Sequence, residues 1–118
     1  MKRILVVDDD RDILDLMELM LGMNRFSVRS LSNWENINES IAHFLPDLIL
    51  LDVALGGADG REICKQLKQS RETKHIPIIL FSAHAEMGNN YRDFHAQAFI
   101  AKPFEMADLL RTVRAHVN

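Results

Sequence analysis

The sequence predicts an α/β domain built on a doubly wound, five-stranded parallel sheet with helices on both faces. Five short apolar runs alternate with amphipathic segments along the chain. Three of these runs are apolar at every position, as expected for strands that are covered on both sides. No internal repeat, low-complexity stretch or linker interrupts the 118 residues, so we expect a single domain over 1–118.

The strands are predicted from the apolar runs. The first, third and fourth runs are continuously apolar, whereas the second alternates between apolar and polar residues and therefore suits an edge strand. The fifth run is short and begins and ends in alanine. The predicted strands are 4–7, 26–31, 48–51, 78–81 and 98–101.

The helices are predicted from apolar residues that recur every three or four positions. This spacing follows the first, second, third and fifth strands. Ser32, with Glu35 three residues later, favours a capping box at the start of the second helix. The segment 85–94 carries Gly88, Asn89 and Asn90 at its centre, and these poor helix formers put a fourth helix in doubt.

The alternation of strands and helices restricts the topology of the sheet. Right-handed crossovers and the alternating second strand favour the flavodoxin-like strand order 2-1-3-4-5. Ligands of such sheets bind at the carboxyl ends of the strands, where the strand order reverses. Here that point lies between the first and third strands.

Polar residues follow the strands around this point. We expect them to meet at one edge of the sheet, because the carboxyl ends of parallel strands lie side by side. These residues are Asp8, Asp9 and Asp10 after the first strand, Asp52 after the third, Ser82 after the fourth, and Lys102 and Pro103 after the fifth.

Such a cluster of carboxylates indicates metal and phosphoryl chemistry. Two carboxylates about 4 Å apart repel each other by on the order of 4 kcal/mol at an effective dielectric constant of about 20. A hard divalent cation relieves this repulsion, and an all-oxygen site suits Mg²⁺ or Mn²⁺. A carboxylate is also a competent nucleophile towards phosphorus, and a metal and a lysine neutralise the charge of the transferred group.

The motifs of the chain resemble those of response-regulator receiver domains. They are, in order, ILVVDDD, LILLDV, the pair Asp59-Gly60, ILFSA and AKPF, and the resemblance covers essentially the whole chain. It implies a phosphoacceptor domain of a two-component phosphorelay that takes a phosphoryl group on Asp52. The donor would be a histidine kinase or a histidine phosphotransfer protein. The domain would assist its own phosphorylation and dephosphorylation without being an enzyme in the ordinary sense.

The resemblance also implies roles for the residues of the metal site. Asp8 and Asp9 match the acidic pair that holds Mg²⁺, and Asp9 is the more direct ligand. Asp52 matches the phosphoacceptor, which also faces the metal. Ala54 matches a position that lends the metal its backbone carbonyl, so its lack of a polar side chain costs no ligand.

Four further positions match the residues that respond to the phosphoryl group. Ser82 matches the switch hydroxyl that bonds a phosphoryl oxygen, and Lys102 matches the cation that stabilises it. Phe99 matches the aromatic residue that swings inward on activation. Pro103 is expected to follow a cis peptide bond.

The chain departs from the family pattern in two places near the site. Leu55-Gly56 replaces the usual Met-Pro, which predicts a more flexible loop after Asp52. The span between Ser82 and Lys102 is shorter than usual. Neither departure involves the residues expected to perform the chemistry.

Two other functions fit part of this pattern. A haloacid-dehalogenase-like phosphohydrolase would use Asp8 as its nucleophile, but it also needs an acidic pair after the fourth strand, where Ser82 is followed by alanine and histidine. A flavodoxin-like cofactor binder would place a phosphate beside the three aspartates that follow the first strand, which electrostatics disfavours. Phosphoryl transfer to Asp52 therefore remains the leading hypothesis.

Composition restricts the partners and the location of the protein. A formal net charge of −3 argues against direct nucleic-acid binding. No apolar run approaches the roughly 20 residues that span a bilayer, so no membrane contact is expected. The one cysteine, Cys64, has no partner for an internal disulfide, and we expect a cytoplasmic protein. A downstream protein is expected to bind the 85–118 face.

Overall fold

The computed structural model describes residues 1–117. It contains seven strands, four α-helices and three short 3-10 turns. The strands are β1 (Arg3–Val7), β2 (Ser27–Leu31), β3 (Leu48–Asp52), β4 (Ala54–Leu55), β5 (Ala58–Asp59), β6 (Ile78–Ser82) and β7 (Ala98–Ala101). The helices are α1 (Arg11–Met23), α2 (Ile37–Phe44), α3 (Gly60–Gln69) and α4 (Met106–His116), and the 3-10 turns are Trp34–Asn36, Ala85–Gly88 and Tyr91–Phe94.

Five of the strands form one parallel sheet, in the order β2-β1-β3-β6-β7. Since β6 and β7 are the fourth and fifth strands of this sheet along the chain, the predicted order 2-1-3-4-5 is confirmed. The alternating strand β2 lies at an edge, as expected, and none of its residues is fully buried. By contrast, all five residues of β3 and all five of β6 are buried.

The core consists of two apolar layers, one on each face of the sheet. Helices α1 and α4 cover one face, where Leu14 and Leu109 are completely buried. Helices α2 and α3 cover the other, with Ile41 and Leu67 packed against the sheet. None of the helices in 1–117 has the length and apolar character needed to cross a membrane.

The second helix is capped differently from the prediction. Asn33, and not Ser32, makes a capping hydrogen bond here: its side chain accepts a bond of 3.1 Å from the backbone N–H of Glu35, at the start of a 3-10 turn. The reason is that the chain first makes a 3-10 turn, Trp34–Asn36, before the α-helix begins at Ile37. The α-helix itself follows Asn36, whose side chain makes no capping hydrogen bond.

The doubt about a fourth helix between β6 and β7 is borne out. The segment forms two separate 3-10 turns, Ala85–Gly88 and Tyr91–Phe94, in place of an α-helix. Neither turn has a side-chain cap at its start. Gly88 is buried, and a Cβ atom built on it would lie 2.1 Å from Cδ2 of Phe99. Any side chain at position 88 would therefore displace the Phe99 ring.

Candidate functional site

The strand register brings the acidic residues together at the carboxyl edge of the sheet. Val7 pairs with Leu51, so the next residues on the two strands, Asp8 and Asp52, are neighbours. Asp8, Asp9 and Asp52 each offer a carboxylate oxygen, and these three atoms all lie within 4.8 Å of one another.

Asp8 is completely buried, and its carboxylate accepts hydrogen bonds from two donors. Its Oδ1 accepts a bond of 2.9 Å from the backbone N–H of Asp10, and its Oδ2 accepts one of 3.0 Å from Nζ of Lys102. Asp10 in turn caps helix α1 through its own side chain, which accepts from the N–H of Asp12. The start of α1 therefore holds Asp8 in place.

Asp52 is the last residue of β3 and is only 3% exposed. The pKa of its carboxyl group is raised to about 7, chiefly by burial and then by the negative charge of Asp8, while the positive charge of Lys102 acts in the opposite direction. Lys102 Nζ lies 3.5 Å from Asp52 Oδ1. The metal-free cluster is therefore electrostatically unfavourable, and added positive charge would stabilise its ionised form.

Lys102 is positioned by the end of β7. Its backbone N–H donates a bond of 2.8 Å to the carbonyl of Ser82, and its Nζ lies 4.8 Å from the centroid of the Phe81 ring. The peptide bond between Lys102 and Pro103 is cis. These contacts direct the ammonium group towards the two buried carboxylates.

Asp9 differs from the other two carboxylates because it is exposed. Its Oδ2 accepts a hydrogen bond of 3.1 Å from the backbone N–H of Gly56. The three carboxylates provide only hard oxygen donors, which is the donor set that Mg²⁺ and Mn²⁺ prefer. The residues present thus fit the cation that the sequence predicts.

The segment after Asp52 forms a small hairpin that the sequence did not predict. Strands β4 and β5 pair antiparallel, with Ala54 opposite Asp59, around a two-residue turn at Gly56 and Gly57. Gly57 has a φ of 85°, which glycine adopts without strain. The hairpin is tied to Asp9 through Gly56, so these contacts do not support the expectation of a loose loop.

Gly60, which the sequence shows only as part of the Asp59-Gly60 motif, is a structural requirement of the site. A Cβ atom on it would lie 2.0 Å from the carbonyl oxygen of Asp52. Its N–H donates a bond of 2.7 Å to the carbonyl of Val53. The first residue of α3 therefore packs directly on the backbone of the acceptor strand.

The two residues expected to act as a switch contact the segment between β6 and β7. Ser82 is completely buried, its Oγ accepts a bond of 3.0 Å from the N–H of His84, and it lies 3.8 Å from Sδ of Met87. Phe99 is half-buried and lies against Gly88. The structure thus places both residues against the 3-10 turn Ala85–Gly88.

Comparison with known proteins shows the family of the domain. A family model for the response regulator receiver domain matches residues 4–114. The chain is 32% identical over 117 residues to the DNA-binding dual master transcriptional regulator RpaA of Synechocystis, covering 98% of this chain and 48% of that protein. It is 37% identical over 118 residues to the transcriptional regulatory protein ResD of Bacillus subtilis, covering 96% and 47%. The chain therefore spans about half the length of these curated relatives.

Solved structures show the same fold over the whole domain. The BeF3-activated N-terminal receiver domain of RstA from Klebsiella pneumoniae superposes with a TM-score of 0.88 at 29% identity, covering 99% of both chains. A response regulator receiver domain protein from Methanospirillum hungatei superposes with a TM-score of 0.87 at 26% identity, covering 99% of this chain and 94% of that one. These matches do not support the haloacid-dehalogenase alternative. The chain belongs to the response regulator receiver domain family.

Proposed function

We propose that Asp52 accepts a phosphoryl group from the phosphohistidine of a histidine kinase or of a histidine phosphotransfer protein. The observation that carries this proposal is the surroundings of Asp52. It is a nearly buried carboxylate at the end of a strand, with Lys102 Nζ at 3.5 Å and oxygens of Asp8 and Asp9 within 4.8 Å. A nucleophile beside a cation and further carboxylates suits phosphoryl transfer.

The transfer is a substitution at phosphorus. An oxygen of the ionised Asp52 carboxylate forms the new P–O bond, while the P–N bond of the donor breaks and its electron pair stays on the imidazole nitrogen. Lys102 stabilises the negative charge of the transferred group through its ammonium group. It also favours the ionised form of Asp52, whose pKa burial and Asp8 raise.

The metal site consists of Asp8, Asp9 and Asp52, with the backbone carbonyl of Ala54 as a further ligand. A bound Mg²⁺ or Mn²⁺ ion supplies positive charge to the phosphoryl oxygens. The three side chains contribute only carboxylate oxygens, and this supports a hard divalent cation over a softer metal.

The outcome of the reaction is a signal and not a released product. The domain assists the formation and the hydrolysis of its own aspartyl phosphate, but it has no further substrate. We place it in the cytoplasm, where its kinase donor meets it. With a net charge of −3, the domain itself contacts protein partners and neither nucleic acid nor membrane.

The acceptor is tested by phosphorylation with a small donor. The wild type and an Asp52→Asn variant are incubated with Mg²⁺ and acetyl phosphate and are then weighed by intact-protein mass spectrometry. We expect the wild type to gain one phosphoryl group and the variant to gain none. Asp15→Asn, which changes an exposed carboxylate of α1, is the matched control and should be phosphorylated like the wild type. Phosphorylation of Asp52→Asn at the wild-type level would exclude Asp52 as the acceptor.

We further propose that the readout surface for a downstream protein is formed by residues 85–94, β7 and α4. Ser82 and Phe99, the expected switch residues, both contact the turn Ala85–Gly88. Once phosphorylated, the domain would draw the Ser82 hydroxyl towards a phosphoryl oxygen and let Phe99 turn inward. Either movement changes the packing of this turn directly, which couples the reaction to the surface.

Hydrogen exchange tests the readout surface. We expect the amides of residues 87–92 to exchange differently in the resting and the phosphorylated protein, because phosphorylation changes the contacts of both 3-10 turns. Amides in the middle of α2, which contacts β1 and β2 at the other end of the sheet, serve as the internal control. Equal protection of 87–92 in both states, with changes elsewhere, would place the readout surface in another part of the domain.

A further inference from the structure

The turn after the acceptor strand carries a backbone N–H that the family pattern lacks. Receiver domains usually have proline where this chain has Gly56, and proline has no backbone donor. Gly56 and Gly57 form the turn of the β4–β5 hairpin, in which Leu55 pairs with Ala58. The substitution therefore adds one hydrogen-bond donor next to the carboxylate cluster.

Both backbone polar groups of Gly56 have specific partners. The N–H donates to Asp9 Oδ2 at 3.1 Å, and the carbonyl accepts a bond of 3.3 Å from Nε1 of Trp34. Trp34 is half-buried in the 3-10 turn Trp34–Asn36, which Asn33 caps. The contacts thus form a continuous series from the indole ring, through one residue of the turn, to the exposed carboxylate of Asp9.

This series matters most for Asp9 because the other two carboxylates are held by burial. Asp8 and Asp52 are 0% and 3% exposed, and Lys102 contacts both. An exposed aspartate without a partner would sample several rotamers, and binding a cation would then cost rotamer entropy. Carboxylates that ligate metals are commonly held by such outer hydrogen bonds.

We propose that Gly56 and Trp34 are positioning residues for the divalent cation. The indole N–H holds the Gly56 backbone, and the Gly56 N–H holds the Asp9 carboxylate through Oδ2, in an orientation in which it would serve the metal. This inference rests on the proposed metal site and deepens it, because it assigns two residues outside the ligand set. Proline at this position would lack the N–H that contacts Asp9.

Two variants at one position isolate the N–H. Gly56→Ala and Gly56→Pro both add a Cβ atom, but only the second removes the donor. An added Cβ would lie 3.4 Å from Asp9 Oδ2, an ordinary contact, and the preceding Leu55 lies in a strand, as the residue before proline requires. Binding of Mn²⁺, the probe, is measured by electron paramagnetic resonance of the free ion, without any phosphodonor.

We expect Gly56→Pro to bind Mn²⁺ about tenfold more weakly than Gly56→Ala, which is at the lower end of the usual effect of outer-shell partners. Trp34→Phe keeps an aromatic ring but loses the N–H, and we expect it to weaken binding by about threefold, because it acts on Asp9 only through Gly56. The metal-free melting temperatures of the variants report any general loss of folding.

A double-mutant cycle separates positioning from a structural effect. In an Asp9→Asn background, exchanging alanine for proline at Gly56 should leave the remaining Mn²⁺ affinity unchanged, because the N–H then has no ligand carboxylate to orient. Equal Mn²⁺ affinities of Gly56→Ala and Gly56→Pro in the wild-type background would overturn the positioning role and leave the metal site intact. Failure of the wild type to bind Mn²⁺ would overturn both.

Discussion

The segments that follow β3 and β6 lie on either side of the same site, but they are attached to the domain in different ways. The hairpin at 53–59 is bonded to its surroundings: Val53 donates to the carbonyl of Phe81 at 2.9 Å, and Gly56 contacts both Asp9 and Trp34. It therefore continues the rigid sheet.

In the segment 83–97, the backbone hydrogen bonds of the two 3-10 turns close within the segment itself. Met87 donates to the carbonyl of His84, and Asp93 donates to that of Asn90. The second turn, Tyr91–Phe94, contributes no buried residue. Backbone hydrogen bonds that close locally, in a turn with no buried residue, are typical of regions that open at low free energy. The hairpin at 53–59, next to the acceptor Asp52, is thus firmly held. The segment 83–97 is held less firmly and can change its conformation when Asp52 is phosphorylated.

The largest expected effect comes from adding a methyl group at Gly60, next to the acceptor strand. Gly60→Ala would place a Cβ atom 2.0 Å from the carbonyl oxygen of Asp52, and neither backbone can move without displacing the acceptor strand. We expect a loss of about 3 kcal/mol in the free energy of unfolding, measured in urea. Gly22→Ala is the control, because a Cβ there meets nothing within 4 Å, and it should stabilise the protein by about 0.5–1 kcal/mol.

The carboxylate cluster should make the stability of the metal-free protein depend on pH. The pKa of Asp52 is about 7 in the folded protein, against a usual 3.8, so the folded state binds more protons between these values. Its stability should therefore fall as the pH rises from about 4 to about 7 and then level off. In the presence of EDTA at pH 8, Asp52→Asn should be more stable than the wild type by roughly 2 kcal/mol or more.

The measurement is a set of urea titrations of both proteins across this pH range. The difference between the wild type and Asp52→Asn isolates the contribution of this carboxyl group from those of other titrating residues. Parallel stability curves for the two proteins would show that Asp52 ionises at an ordinary pKa, and that the cluster is less strained than its burial indicates.

The smallest effect is expected in the segment 83–97. Gly88→Ala also introduces a severe contact, at 2.1 Å from Cδ2 of Phe99, but all the atoms it meets belong to one half-buried side chain, which can move as a whole. We expect a cost of about 1 kcal/mol in urea unfolding, and a change in hydrogen exchange at residues 87–92. A cost as large as that of Gly60→Ala would mean that Phe99 is locked in place, and the contrast between the two segments would fail.

Several features followed from the sequence alone because they depend on local or periodic properties. Continuous apolar runs predicted the buried strands, and their alternation with helices restricted the sheet to the observed order. Asp8, Asp52 and Lys102 follow or end these strands, and they lie together because the carboxyl ends of parallel strands are at the same edge of the sheet. The doubt about the fourth helix followed from the low helix propensity of Gly88 and its two asparagine neighbours.

Other features were decided by contacts between residues far apart in the chain. The cap at Asn33 depends on a 3-10 turn that holds Trp34, whose indole reaches Gly56, 22 residues further along the chain. The conformational freedom of glycine at position 56 predicted a flexible loop. In the folded chain, the N–H of Gly56 donates a hydrogen bond to Asp9, which is 47 residues away. Local sequence specifies what a residue can do, but the partners that satisfy its backbone groups exist only once the sheet has brought distant segments together.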